Sequence, residues 1–442
     1  MCAFAAAVFF TLAASAACGP GSGSSAHGRR GGSLIALPSS ACRQPQGPSD
    51  AKLIVASDLP FQIEGREQIE EMVRAIQFVL EQRNYRAGKY KVAYQSCDDS
   101  TAGTGYWDSA KCASNARAYA EDQSVIGIVG TYNSGCAKIE IPILNRAQPD
   151  PLAIVSPSNT APGLTHGGPG AAPDEPDPYY PTGTRNYARV IAADDFQGAA
   201  DALWAKQLGL KSVFVLNDGE TYGHGVAFGM RKSLLELGIK VPGFESWDAN
   251  ASSYEALAVK VNLSGADGVF LGGLSCNNGA ELIKDLRAGF NGKILMPDGF
   301  YDPQLNGPAA NGSYISVAGQ PPDTLTGAGA TFVKDFGKQI GATPSQDSVY
   351  AAQAMLVLLD AIAKSDGTRT SVTRNLLQTK VSNGILGTFS IDPNGDTSLN
   401  TVTIYQQKAG KLNPVKTIIP SPSLVNESPL GGHRPPASAA TR

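Results

Sequence analysis

Histidine is scarce in this 442-residue sequence, at four residues, and no Cys-x-x-Cys or Cys/His pair at ligand spacing occurs. A zinc or other His-rich metal site is therefore not expected, and nothing calls for an organic cofactor. Neither sign of charge is in excess. Lys and Arg number 36 against 39 Asp and Glu, a formal net charge of −3. A nucleic-acid partner held by clustered cations is excluded on that ground. Charged residues make only 17% while hydrophobic residues make 42%, too apolar for a disordered chain. No Gly-x-Ser-x-Gly elbow and no short-period repeat occur, so a hydrolase of that type and a solenoid are not expected.

The first 17 residues, MCAFAAAVFFTLAASAA, are uncharged and apolar but short for a membrane span. Small residues precede Cys18 and Gly-Pro-Gly-Ser follows it, the layout of a secretory signal peptide. Ser15-Ala16-Ala17-Cys18 resembles a bacterial lipobox, which implies export and lipidation at Cys18. Residues 1–18 are thus read as a signal peptide and 19–50, rich in Gly, Ser, Pro and Gln, as a flexible tether. Residues 416–442 are read as a disordered tail.

Between these ends strand and helix patterns alternate. Apolar runs at 52–57, 89–95, 125–129, 152–155, 213–216, 269–271 and 294–296 read as buried strands. Ile69, Met72, Val73, Ile76 and Leu80 recur at helical spacing, and 108–121, 136–146, 228–237, 254–262, 279–288 and 347–363 read as helices. Final strands are expected at 387–391 and 401–406. The fold class is α/β, with parallel sheets covered on both faces. A Gly- and Pro-rich insertion, residues 161–185, separates two such series.

Apart from Cys2 and Cys18, five cysteines remain, at 42, 97, 112, 136 and 276. An exported chain should pair some of them. One bridge is expected among Cys97, Cys112 and Cys136. Cys97–Cys112 closes the shortest loop, and the pairing is left open. The odd thiol reads as a buried or unreactive cysteine.

Ligands of open parallel sheets bind beyond the carboxyl ends of the strands. Those loops here are Gly130-Thr-Tyr-Asn133-Ser134-Gly-Cys136, Ser156-Pro-Ser158-Asn159-Thr160, Asn217-Asp-Gly-Glu-Thr-Tyr222-Gly, Gly272-Gly-Leu274 and Pro297-Asp298-Gly299. Ser134 and Asn133 open a helix, a place suited to a carboxylate and equally to ordinary N-capping. Ser156 is a further candidate binding hydroxyl. Asp298 in Pro-Asp-Gly is also a standard turn residue, and Tyr222 also reads as a turn aromatic.

Taken in order, SPSNTAPGLT, NDGETYGHG, FLGG and MPDGF, with the Ser134 loop, resemble type I periplasmic binding proteins of ABC transporters, the leucine/isoleucine/valine-binding group. The likeness covers roughly residues 52–406 and is nearest to exported solute-binding lipoproteins of high-GC Gram-positive bacteria. It implies two Rossmann-like lobes joined by a three-crossing hinge. The crossings fall near Ala192, Ala318 and Ile391. The first lobe is then 51–192 plus 319–390 and the second 193–318 plus 391–415. It further implies that Ser134 and backbone amides hold a ligand carboxylate. Thr160 and Asp298 hold its ammonium, Tyr222 covers it, and Ser158 and Asn159 offer backbone groups. The family's aromatic after Gly-Gly is Leu274 here, and its first-lobe aromatic falls at Glu64 or is replaced by Phe61. An additional acid at the rim favours a polar or cationic ligand.

The function so implied is non-catalytic. An extracytoplasmic lipoprotein, anchored at the outer face of the cytoplasmic membrane, captures an amino acid or small amide and delivers it to an ABC permease. A sensor domain that signals to a membrane partner is the alternative. A dinucleotide enzyme is disfavoured, because Gly223-His-Gly225 lacks a placed acid at the end of the next strand.

Overall fold

The structure is a computed structural model and describes residues 34–37, 39–62, 66–103 and 106–426. Cys18 and Glu64 lie outside the described residues, as does the whole signal-peptide segment.

The first lobe begins β1 (Leu53–Leu59), α1 (Arg66–Gln82), β2 (Arg86–Ala87), β3 (Tyr90–Asp98), α2 (Ser109–Glu121), β4 (Val125–Gly130), α3 (Ser134–Asn145), β5 (Ile154–Ser156) and β6 (Tyr187–Arg189). Its sheet has the order β2-β3-β1-β4-β5-β6 and is parallel except for the short β2 pairing. The chain then crosses to α4 (Asp194–Gln207), β7 (Val213–Asn217), α5 (Thr221–Glu236), β8 (Phe244–Ser246), α6 (Glu255–Leu263), β9 (Gly268–Gly272), α7 (Gly279–Gly289), β10 (Lys293–Met296) and β11 (Tyr314–Ala318). It returns to the first lobe as α8 (Ala328–Ile340), α9 (Gln346–Ala363), α10 (Arg369–Leu376) and the hairpin β12 (Lys380–Gly384) and β13 (Gly387–Ser390). A third crossing leads to β14 (Val402–Lys408), β15 (Lys411–Ile418) and the short α11 (Pro422–Asn426). The second sheet is ordered β15-β14-β11-β10-β9-β7-β8. It is parallel from β11 to β8, but β14 and β15 are antiparallel, so this sheet is mixed rather than parallel throughout. Two α/β lobes joined by three crossings are the architecture.

Buried strands of Val, Ile and Leu fix each sheet, and helices cover both faces. α9 is buried on almost every side and packs on α1 and the first sheet. Gly127 on β4 makes room for it, since a Cβ there would overlap Leu358. Among the described residues no helix is long and apolar enough to cross a membrane.

Three expectations are corrected. The segment 34–50 is tied to the first lobe instead of hanging as a tether. Gln46 and Tyr94 exchange backbone hydrogen bonds of 2.8 and 2.9 Å, Arg43 N donates to Ser96 O at 2.8 Å, and Leu37 is buried. This covers the open edge of β3, whose unpaired backbone groups need partners. Cys42 pairs with Cys97 and Cys112 with Cys136, so the Cys97–Cys112 bridge does not form. Cys42, within the segment read as a tether, is brought beside Cys97 by an antiparallel backbone bridge. At the other end, residues 416–426 are anchored. β15 runs to Ile418, and the buried Lys232 donates to the carbonyls of Leu424 and Val425 at 2.8 and 3.0 Å. The insertion 161–185 has two short 3-10 turns, and Leu164, Tyr179 and Tyr180 bury in the first lobe.

Candidate functional site

β4 ends at Gly130, and α3 starts only four residues later. Asn133 is the N-cap of α3, yet its side chain makes no capping bond. Its Oδ1 is buried without a hydrogen-bond partner among the described residues. The first amides of α3 are therefore left without a side-chain cap, at the positive end of the helix dipole. Ser134 Oγ accepts from Ala161 N at 3.3 Å and keeps its own proton to donate. The Trp107 ring packs where a Cβ of Gly135 would stand, so only glycine fits there. Ser156, expected as a binding hydroxyl, is fully buried and builds the neighbouring loop. Its Oγ donates to Thr131 O at 2.9 Å and accepts from the amides of Ser158 and Asn159 at 3.0 and 2.8 Å. That loop carries Ser158, whose Oγ is also buried without a partner among the described residues.

The opposite wall comes from the second lobe. Tyr222 lies in the first turn of α5, which starts earlier than the sequence suggested. Gly223 permits this, because a Cβ there would stand 2.6 Å from Gly272 O on β9. Asp298 opens the turn after β10. The Tyr222 hydroxyl donates to Asp298 Oδ1 and accepts from Gly299 N at 3.2 Å. Burial pushes the Asp298 carboxyl above its ordinary range, and the Tyr222 bond pulls it part of the way back. Leu274 is held by Asp218, which accepts from Leu274 N at 3.0 Å and from Asn277 Nδ2 at 2.8 Å.

Between these walls lies a cleft lined by Asn133, Ser134, Ser158, Tyr222, Leu274 and Asp298. Ile191 and Val317 line it where the chain crosses between lobes, and Tyr132, Tyr301 and Asp347 complete it. These last five were not read from the sequence. Tyr132 was within reach, being in the same loop as Ser134. Asn159 and Thr160 do not line the cavity. Asn159 donates to Tyr132 O at 3.0 Å, and the buried Thr160 lies against Asp194. Phe61 is likewise placed elsewhere. It is buried in the first-lobe core with the Arg43 guanidinium 4.0 Å above its ring. Its apolar ring is better satisfied there than at the rim of a polar cleft.

A carboxyl from the first lobe also faces this space. Asp347 is in the first turn of α9. Gln68 Nε2 on α1 donates to its Oδ2, as does the Tyr132 hydroxyl at 3.3 Å. Burial and the charge of Asp298 push it up to about 6. A second cavity adjoins the first and shares Tyr132, Asn133, Leu274, Asp298 and Tyr301 with it.

A cleft at the hinge of two α/β lobes, walled by strand-end loops of both, is the arrangement expected of a protein that closes on a small molecule. A family model described as periplasmic binding protein matches residues 65–411. The chain belongs to this family. The family's members are binding proteins acting outside the cytoplasm. The chain is 24% identical over 273 residues to a leucine-, isoleucine-, valine-, threonine- and alanine-binding protein of Pseudomonas aeruginosa. That match covers 61% of this chain and 69% of the relative. Among solved structures it is similar to a leucine binding protein, LivK, of Thermotoga maritima. The TM-score is 0.71 at 24% identity, over 83% of this chain and 99% of that one. A solute binding protein from R. palustris in complex with benzoate gives a TM-score of 0.69 at 17% identity, over 84% and 97%. The fold is thus shared by proteins with different ligands.

Proposed function

We propose that the chain is the extracytoplasmic solute-binding component of an ABC importer and captures an amino acid or small amide between its lobes. Lipidation at Cys18 would hold it at the outer face of the cytoplasmic membrane, and the cleft has a binding rather than a catalytic role. The observation that carries this reading is the polarity of the cleft. One wall offers donors, the Ser134 hydroxyl and the first amides of α3. The other offers the Asp298 carboxyl, oriented by Tyr222. An α-amino acid has the same two poles, a carboxylate for the first wall and an ammonium for the second. Ser158 Oγ and Asn133 Oδ1, buried without partners among the described residues, gain them from a polar ligand. Lobe closure removes water from these contacts and strengthens them.

Thermal shifts of the purified chain against amino acids, small amides and sugars test this. A ligand at 100 times its Kd adds about 2.7 kcal/mol of stability. The shift is expected with an amino acid or amide and is lost in Ser134→Ala and Asp298→Asn. A hit confined to sugars would refute the zwitterion reading.

A further inference from the structure

Among the described residues, the two adjoining cavities have no Lys, Arg or His in their walls, yet Asp298 and Asp347 both face the first. They come from opposite lobes. In the reading given above, Asp298 meets the ligand's ammonium and the donors around Ser134 meet its carboxylate. An amino acid with an apolar side chain then has no charge left for Asp347, which closure would strip of water unpaired.

Asp347 is not occupied by its own helix. Ser345 caps α9 and accepts from Ser348 N at 3.3 Å, whereas no hydrogen bond joins the Asp347 side chain to α9 among the described residues. It turns to Gln68 and Tyr132, and both donate to Oδ2. Among the described residues no hydrogen bond is given to Oδ1. The carboxylate is thus held from one side, at the cavity wall. Tyr132 and Tyr301 line the same space, and aromatic rings attract a cation placed over their faces.

We propose that Asp347 is a specificity-determining residue that makes the cleft selective for an amino acid with a cationic side chain. The distal cation sits against Asp347 while the α-ammonium sits against Asp298. This rests on the amino-acid reading of the cleft and names its substrate class.

The test is calorimetric titration of the whole chain at pH 8 with lysine, arginine, leucine and glutamine, repeated for Asp347→Asn and Asp347→Glu. Unliganded melting curves check that each variant folds. Lysine or arginine is expected to bind at least roughly tenfold tighter than leucine. Asp347→Asn should abolish that preference, with a much larger loss for lysine and arginine than for leucine, and Asp347→Glu should largely keep it. The preference should also shrink at pH 5, where a carboxyl raised to about 6 is mostly neutral and attracts no cation. Leucine or glutamine binding as tightly as lysine, or equal losses for all ligands in Asp347→Asn, would overturn the inference and leave the amino-acid reading standing. Absence of binding by any amino acid would overturn that reading and this inference with it.

Discussion

At the scale of single residues, the cleft depends on side chains that position others. Tyr222 is the clearest. Its hydroxyl reaches Asp298 and the Gly299 amide, so it fixes both the carboxylate and the turn that carries it. A hydrogen bond to a charged group contributes about 1.5–3 kcal/mol. Tyr222→Phe is therefore expected to weaken ligand binding by about tenfold or more and to lower the melting temperature by a few degrees. Titration calorimetry measures the first and a thermal melt the second. Unchanged affinity would show that Asp298 needs no such support. The residues of the cleft that were legible in the sequence sit in loops directly after strands, where fold geometry alone says to look. Asn133, Ser134, Ser158, Leu274 and Asp298 are of this kind. Asp347 was not legible, because it reaches the cleft on a helix that returns from the second lobe, and no local motif announces such a return. Phe61 shows the opposite error. It stands at a suitable place in the chain, but its ring finds an apolar partner surface and the Arg43 guanidinium instead.

Among secondary-structure elements, legibility followed the clarity of the period. α1 shows an apolar stripe that was legible at Ile69, Met72, Val73, Ile76 and Leu80, but it ends at Gln82, before the short β2. α4 was missed because it is buried on most sides, Asp194, Asp195 and Asp201 included, so no polar face marks a helix. β15 was missed because it is an edge strand, largely exposed and interrupted by Pro414. α8 carried a usable signal in Phe332 and Phe336, both buried and one turn apart. The disulfides show how elements are joined. Cys42–Cys97 closes a separation of 55 residues and clips the N-terminal segment to β3. Chain entropy gives such a bridge about 4 kcal/mol. Replacing both cysteines by serine should lower stability in urea by up to that amount and leave ligand affinity within about threefold. Cys112–Cys136, with a separation of 24, joins α2 to the first turn of α3, two residues after Ser134. Its removal costs about 3 kcal/mol by the same argument. It should also weaken ligand binding, because the helix end that offers the amides is no longer held. Equal effects of both replacements on affinity would count against the role given to the α3 terminus.

On the scale of the whole molecule, three crossings join the two lobes. One cluster links the parts involved. His166, in the insertion after the Ser158 loop, sits between Asp195 at the start of α4 and Asp396 in the third crossing. Its Nε2 lies 3.2 Å from Asp195 Oδ2 and its Nδ1 2.9 Å from Asp396 Oδ2. Asp396 also accepts from the fully buried Arg189 at 2.6 Å and from Thr165 at 3.0 Å. Only an imidazolium can donate from both nitrogens. Burial alone would lower the His166 pKa, but its two carboxylate partners outweigh that and raise it to about 9. Burial likewise opposes ionisation of Asp396, yet Arg189 and His166 hold it well below the ordinary carboxylate range. The signs are opposite. The proton on His166 is bound more tightly in the folded chain, so its contribution is complete below about pH 6.5 and is lost as pH rises through about 9. The contribution of Asp396 is complete above about pH 4 and is lost as pH falls below that. At about 1.4 kcal/mol for each pKa unit, His166 accounts for about 3 kcal/mol between these limits. Melting curves from pH 6 to pH 10 should therefore fall for the parent chain and fall much less for His166→Gln, which begins lower. Parallel profiles would mean that the imidazolium adds nothing to the joint between insertion and crossings. A convergence of the two near pH 10 would place that joint, between the insertion, the start of α4 and the third crossing, under the control of a single proton.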